Sequence, residues 1–237
     1  MNGDGYADLA VGAPLRDVPP VDGGAVYLFL GSSTGLDPTA PIQLDDPVAQ
    51  ANAFFGQSVA AAGDLDGDGF GELLVGAPGQ SATMASEGNA FVLAGSATDP
   101  GRTSRARLLD PPGEMSAEYG TSVAGAGDVD GDGVPDLIVG ARYQDAPAPD
   151  SGQAFVYYGP VSGSTASADD ELSPPAPLGS ARFGTSVGSA GDVDGNGFAD
   201  VIVGEPLRTD VTTFEGGAYV YSGSAAGVAS TPIRSWR

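Results

Sequence analysis

The sequence predicts an all-β protein that consists of four repeats, each forming one β-propeller blade of four antiparallel strands. Several marks recur along the 237 residues at a constant spacing of 64, with no insertion or deletion between them. Each repeat also contains short apolar runs that Gly and Pro clusters separate, and no stretch keeps a helical period. Short strands with recurring Gly and aromatic residues are typical of propeller blades.

The most distinctive mark is an acidic string, Gly-Asp-(Leu/Val)-Asp-Gly-(Asp/Asn)-Gly, whose first acid is Asp64, Asp128 or Asp192. An apolar run ending in Val-Gly, an aromatic-Gly pair and a single aromatic residue keep the same register. Their members are Gly12, Gly76, Gly140 and Gly204; Phe55, Tyr119 and Phe183; and Tyr27, Phe91, Phe155 and Tyr219. Four marks in one register indicate a true internal repeat.

The second repeat illustrates the expected order of strands. Residues 55–62 predict the first strand, and the acidic loop follows it. Residues 72–75 are mostly apolar, which predicts a short second strand that is buried on both faces. Residues 90–94 are rich in aromatic and aliphatic side chains and predict the third strand, while residues 105–109 predict a weaker fourth strand.

We expect one propeller region over residues 1–237, with blades at approximately 1–50, 51–114, 115–178 and 179–237. The first repeat enters in the middle of its acidic loop, so the chain has four second strands but only three first strands. The last fourth strand is expected near residues 233–236. We therefore expect a partial propeller cut from a longer chain, which otherwise associates with another copy or leaves an open edge.

The acidic loops are predicted to bind metal through positions 1, 3, 5 and 9, counted from the first Asp. Position 6 is always Gly, which permits the positive φ of a sharp turn, and the position-7 carbonyl can add an oxygen. Five or more hard oxygens in a flexible loop suit Ca²⁺, whereas Mg²⁺ prefers fewer protein ligands. The predicted ligands are Asp64, Asp66, Asp68, Phe70 and Glu72; Asp128, Asp130, Asp132, Val134 and Asp136; and Asp192, Asp194, Asn196, Phe198 and Asp200.

Two arguments separate these loops from other acidic turns. Carboxylates about 4 Å apart repel by roughly 4 kcal/mol at an effective dielectric near 20, so a solvated turn would splay without a cation. An EF-hand would need a Glu at position 12, where this chain has Val75, Val139 and Val203.

The first repeat supplies only positions 3, 5, 7 and 9, so we expect three complete calcium sites and one weak, incomplete site. Its members are Asn2, Asp4, Tyr6 and Asp8.

These repeats resemble FG-GAP repeats, the blades of the integrin α-subunit propeller. The FG pair corresponds to Phe55-Gly56, with Tyr119-Gly120 as a variant, and the GAP mark to Gly76-Ala77-Pro78. Arg142 and Glu205 depart from the GAP pattern. The resemblance implies calcium between the first and second strands of each blade, a protein ligand, cell adhesion and a location outside the cell or at its surface. It also implies seven blades in a complete ring, more than four repeats supply.

The composition excludes several classes of function. The chain has no Cys and no His, so we expect no disulfide, no zinc or copper site and no histidine base. Its 31 acids against 9 bases give a formal charge of −22, which argues against nucleic acid and anionic lipid as partners. No apolar run is as long as a membrane span, and the first residues have no basic region and no apolar core, so we expect neither membrane insertion nor a signal peptide in these residues.

We expect no catalytic residues and no enzyme activity. Two Gly-x-Ser-x-Gly strings surround Ser33 and Ser186, but both lack a His partner and a strand-to-helix turn. The paired carboxylates that a glycosidase would use lie in the metal loops instead. The chain is therefore interpreted as a binding module.

The predicted ligand face consists of the variable loops that follow the GAP marks, because variable loops on a rigid scaffold often carry recognition. In a propeller these loops lie opposite the metal loops. A protein ligand is favoured because the loops repeat no aromatic and amide set for sugars, while a carbohydrate ligand or a structural spacer remains an alternative. The loops are residues 14–23, 78–87, 142–151 and 206–215, with Arg16, Arg142, Tyr143 and Arg208 as possible contacts.

Overall fold

The computed structural model describes residues 1–17, 21–81, 85–109, 111, 114–209 and 215–236. These residues form sixteen β-strands and no helix. A helix long and apolar enough to cross a membrane is absent from this part of the chain. The strands are β1 (Leu9–Ala13), β2 (Ala25–Phe29), β3 (Ile42–Asp45), β4 (Ser58–Gly63), β5 (Glu72–Ala77), β6 (Asn89–Leu93), β7 (Ser104–Leu109), β8 (Tyr119–Gly127), β9 (Asp136–Ala141), β10 (Gln153–Tyr157), β11 (Gly163–Ala166), β12 (Asp170–Leu172), β13 (Ser186–Gly191), β14 (Asp200–Glu205), β15 (Gly217–Tyr221) and β16 (Arg234–Trp236).

The strands form four sheets, one for each repeat, and this confirms the predicted all-β fold of antiparallel blades. The orders are β1-β2-β3, β4-β5-β6-β7-β11, β8-β9-β10-β12 and β13-β14-β15-β16. Among the described strands β1 pairs only with β2, so the first blade has three strands. The extensive contacts between sheets join neighbours along the chain, which makes a row of blades rather than a closed ring.

The second and third strands form the buried centre of the second and third blades. Every residue of β5 and of β9 is buried, as the apolar run at residues 72–75 predicts. Three hydrophobic cores lie between the blades, one for each pair of neighbouring sheets. Aromatic marks of one repeat meet inside these cores, with ring centroids 5.8 Å apart for Phe55 and Phe91 and 5.5 Å apart for Tyr119 and Phe155.

The glycine marks meet where neighbouring blades approach each other. A Cβ on Gly12 would lie 1.9 Å from the carbonyl oxygen of Gly56 in the next blade. The same substitution at Gly76 would bring a Cβ within 2.0 Å of the Gly120 oxygen. Backbone therefore packs directly against backbone, and this close approach explains why the GAP glycine and the FG glycine recur together.

One strand departs from the expected blade. β11 pairs in parallel with β7 of the preceding blade, which makes the second sheet five-stranded. The fourth strand of the third blade is β12, which pairs with β10 in the antiparallel order that the repeat predicts. The connection after β10 thus reaches back and bridges two blades before it completes its own.

Candidate metal centres

The first acid of each complete loop organises the turn through its two carboxylate oxygens. Asp64 accepts the backbone N–H of Gly67 at 2.8 Å and that of Gly69 at 2.9 Å. Asp128 and Asp192 make the equivalent bonds. The position-6 glycine, Gly69, has a φ of 90°, which a residue with a Cβ adopts only with strain. The spacing of Asp and Gly therefore dictates the curvature of the loop.

Positions 3 and 5 continue the same pattern of short-range bonds. The Oδ1 atom of Asp66 accepts the N–H of Asp68 at 3.2 Å. Asp68 in turn accepts the N–H of Phe70 at 2.9 Å. The third and fourth loops repeat both bonds. Each side chain is thus oriented by the backbone two residues further along.

The acid at position 9 is buried and joins the loop to the end of the third strand. Asp136 is fully buried, and its Oδ2 accepts the N–H of Val129 at 2.6 Å while its Oδ1 accepts that of Gly159 at 2.8 Å. Glu72 and Asp200 are buried and make the equivalent pairs of bonds. Sequence reasoning selected this acid only as a metal ligand and missed its second role in holding two strands together.

Positions 1, 3 and 9 converge in each complete loop. In each of three groups, one carboxylate oxygen from each acid lies within 4.8 Å of those from the other two acids. Two ligands on opposite sides of a Ca²⁺ ion at about 2.4 Å are themselves about 4.8 Å apart, so one ion can contact all three acids. The donors are hard oxygens, and the residues present therefore fit a calcium ion. The groups are Asp64, Asp66 and Glu72; Asp128, Asp130 and Asp136; and Asp192, Asp194 and Asp200.

The remaining predicted ligands are placed differently. Asp68 and Asp132 lie outside the three-acid groups, and each accepts the N–H of its position-7 residue. Asn196 makes the same bond to Phe198 and also donates from its side-chain nitrogen to the Gly223 carbonyl at 2.9 Å. Side-chain coordination at position 5 and carbonyl coordination by Phe70, Val134 and Phe198 therefore stay predictions.

Burial makes the position-9 charge of the second and third loops unfavourable in the absence of a cation. The pKa of Asp136 is raised from 3.8 to about 6, chiefly by burial and in part by the Asp130 and Asp128 carboxylates, although backbone hydrogen bonds oppose the shift. Burial also raises the pKa of Glu72. A divalent cation would offset both the desolvation and the repulsion among the acids.

The first loop differs from the other three. Asn2 donates to Asp4 at 2.9 Å, and Asp4 accepts the N–H of Tyr6 at 3.0 Å. The N-terminal ammonium lies 3.8 Å from the carboxylate of Asp8, which also accepts the N–H of Gly31. Among the described residues this loop contributes no group of three acids. It retains the turn but offers fewer anionic ligands.

The possible ligand-face residues have unequal surroundings. Arg16 is exposed, whereas Arg142 is half-buried, pairs with Glu118 and lies 5.0 Å from the ring centroid of Tyr143. Sequence reasoning missed Arg182, whose guanidinium lies 4.8 Å from the same ring. Residues 18–20, 82–84 and 210–214 of the variable loops lie outside the described residues.

Arg208 does not contribute to an exposed face. Its side chain is 3% exposed and forms an ion pair with the buried Glu205 at 3.2 Å. Arg208 also donates to the Ala176 carbonyl at 3.1 Å. Glu205 replaces the alanine of the GAP mark, and this departure is what draws the arginine inward. The expected surface contact by Arg208 is therefore corrected to an internal one.

The repeats match a known family over much of the chain. The FG-GAP repeat matches residues 1–29, 55–93, 119–157 and 183–221, together more than half of the sequence. Integrin alpha-IIb of Homo sapiens is 37% identical over 151 residues, which are 60% of this chain and 14% of the relative. Integrin alpha-4 of Xenopus laevis is 33% identical over 203 residues, which are 85% of this chain and 18% of the relative. The chain spans less than a fifth of the length of these relatives.

Proposed function

Because this chain belongs to the FG-GAP repeat family, we propose that it is a non-catalytic, calcium-stabilised binding module that contacts a protein ligand. We further propose that it acts in adhesion at the cell surface or outside the cell. The similarity to integrin alpha chains supports both parts of this proposal. The observation that carries it is the convergence of three carboxylates in each of three loops.

The calcium role proposed here is structural. Each three-acid group includes one buried acid that also receives hydrogen bonds from two separate parts of its blade, so a bound ion would strengthen a joint that already exists. Acids that repel one another at such short range favour the folded loop only when a cation neutralises them. Calcium therefore contributes to blade stability rather than to chemistry.

The proposed ligand face includes a cavity of about 280 Å³ that three blades share. Its lining includes the apolar residues Pro14, Leu15 and Phe54 and the ion pair of Glu118 with Arg142. A surface that combines apolar area with a fixed charge pair suits a protein side chain. Arg142 and Tyr143 remain in this proposed face, together with the exposed Arg16.

Thermal unfolding in calcium and in chelator tests the structural role. We expect a markedly lower midpoint in chelator, because calcium at about 100 times its dissociation constant adds roughly 2.7 kcal/mol of stability for each site. Magnesium at the same concentration serves as a control and should restore little of the difference. Identical melting curves in calcium and in chelator would contradict the proposal.

A further inference from the structure

A cationic side chain from the fourth strand of the second blade contacts one of the predicted metal ligands of the second acidic loop. Arg105 lies in β7, and its Nη1 atom forms an ion pair with the Oδ2 atom of Asp66. Its Nε atom donates to the carbonyl of Val161 at 3.2 Å, in the connection that precedes β11. Both members of the ion pair are about one-fifth exposed. Two anchors thus hold the guanidinium beside the loop.

The oxygen that Arg105 contacts is the one left over for a cation. In every complete loop the Oδ1 atom of the position-3 acid already accepts the N–H of position 5. Its Oδ2 atom has a different neighbour in each blade. It meets a guanidinium in the second loop and the neutral hydroxyl of Ser222 in the fourth. In the third loop, the described residues provide no hydrogen-bond donor to the Oδ2 of Asp130.

This guanidinium belongs to the second repeat alone. The 64-residue spacing places Pro41, Asp169 and Ile233 at the positions equivalent to Arg105. Asp169 accepts a hydrogen bond from the backbone of Tyr158 and carries a negative charge instead. The complete loops therefore have similar predicted ligands but differ in the residue at the position equivalent to Arg105.

The charges predict the consequence for a bound ion. The second and third loops each have four acids, but Arg105 reduces the net charge around the second loop by one unit. A calcium ion entering the second loop must either share Asp66 with a positive charge or displace it. Like charges at short range repel, and calcium affinity follows the charge of the ligand set, so both routes weaken binding.

We propose that Arg105 competes with the cation for Asp66. The second loop therefore binds calcium at a higher calcium concentration than the third loop does. The inference rests on the proposed calcium role of these loops. The guanidinium also neutralises part of the repulsion among the acids of this loop. The four repeats are then unequal in their response to calcium.

The test is a calcium titration of the whole chain, followed site by site through backbone amide resonances. Gly69, Gly133 and Gly197 each donate their N–H to the first acid of their own loop and so report on that loop. In the unaltered protein we expect the Gly133 signal to respond at lower calcium than the Gly69 signal. In Arg105→Gln the midpoint for Gly69 should fall about tenfold or more, with those of Gly133 and Gly197 unchanged.

Two further variants separate local competition from other effects. Arg102→Gln removes an equal charge from an exposed pair with Asp99 in the same blade, and it should leave the Gly69 midpoint unchanged. Arg105→Lys keeps the positive charge and should keep the higher midpoint. An unchanged Gly69 midpoint in Arg105→Gln, or the same gain in Arg102→Gln, would overturn the inference. If none of the three amides responds to calcium in any protein, the proposed calcium role itself fails and the inference with it.

Discussion

Gly76 shows how a missing side chain determines the distance between two blades. Its backbone does not need a positive φ, so conformational freedom is not the reason for glycine at this position. The reason is space, because a Cβ would lie 2.0 Å from the Gly120 carbonyl oxygen. That oxygen belongs to the main chain and cannot turn away. The approach of the blades is therefore set by backbone atoms.

Gly76→Ala should destabilise the protein by about 1–3 kcal/mol, the usual range for overpacking a filled interior. Gly188→Ala is the matched control, because a Cβ there would meet nothing closer than Ile202 Cγ2 at 3.6 Å. The free energy of unfolding from urea titrations in calcium measures both. Equal stability of the two variants would contradict the steric explanation.

Glu205 and Arg208 form a buried ion pair that only the fourth repeat contains. Glu205 also accepts a hydrogen bond from the Tyr219 hydroxyl at 2.6 Å. The second repeat has Ala77 and Gln80 at the two equivalent positions, so an uncharged pair is compatible with the blade. The charges of this pair depend on each other, because removing either residue takes a counterion away from the buried charge that stays.

Glu205→Ala should destabilise the fourth blade by about 3–5 kcal/mol, since Arg208 would keep its buried positive charge. The double variant Glu205→Ala with Arg208→Gln reproduces the residues of the second repeat and should recover much of that loss. Urea unfolding compares the two. A double variant as unstable as the single one would refute the ion-pair explanation.

At the scale of elements, the acidic loop and the third strand form one unit through the acid at position 9. Asp136 makes this connection with both carboxylate oxygens while it belongs to a three-acid group. Its charge is therefore favourable when a cation is present and unfavourable when the loop is empty. The stability of this loop and strand should therefore fall as the pH rises when the loop is empty, and rise with pH when calcium is bound.

In chelator the melting temperature should rise as the pH falls from about 7 to about 5. The pKa of Asp136 is raised from 3.8 to about 6, so the folded protein binds this proton more readily than the unfolded chain. The resulting stabilisation is complete below the unfolded value and is lost as the pH rises through about 6. In calcium the trend should reverse, because protons compete with the ion. A chelated protein whose melting temperature falls steadily over this interval would contradict the prediction.

The sequence predicted those elements whose determinants lie within one repeat. The acidic loops and the second strands are of this kind, because their glycines, acids and apolar runs lie within a few residues of one another. It did not predict β11, whose pairing with β7 depends on residues of a different blade. The contact of Arg105 with Asp66 joins residues 39 positions apart and has no periodic signal. The burial of Arg208 follows from Glu205, a departure seen in the sequence whose packing consequence required the structure.

At the scale of the whole molecule, the blades behave as a chain of nearest neighbours. Each of the three cores is shared by two adjacent sheets, and the extensive contacts between sheets among the described residues follow chain order. Stability in such an array is approximately a sum of terms for the repeats and for the joints between them. A defect in one joint therefore weakens its two blades first, and calcium in one loop acts mainly on its own blade.

The backbone contacts between the glycines of neighbouring blades affect how repeats can be added to such a protein. Because the carbonyl of one glycine meets the hydrogen of another, this contact does not depend on which side chains form the hydrophobic core around it. A segment of 64 residues contains one GAP glycine and one FG glycine, and so it carries one partner of the contact with each neighbouring blade. Duplicating or exchanging such a segment would leave these glycine contacts intact, while its loops stay free to diverge.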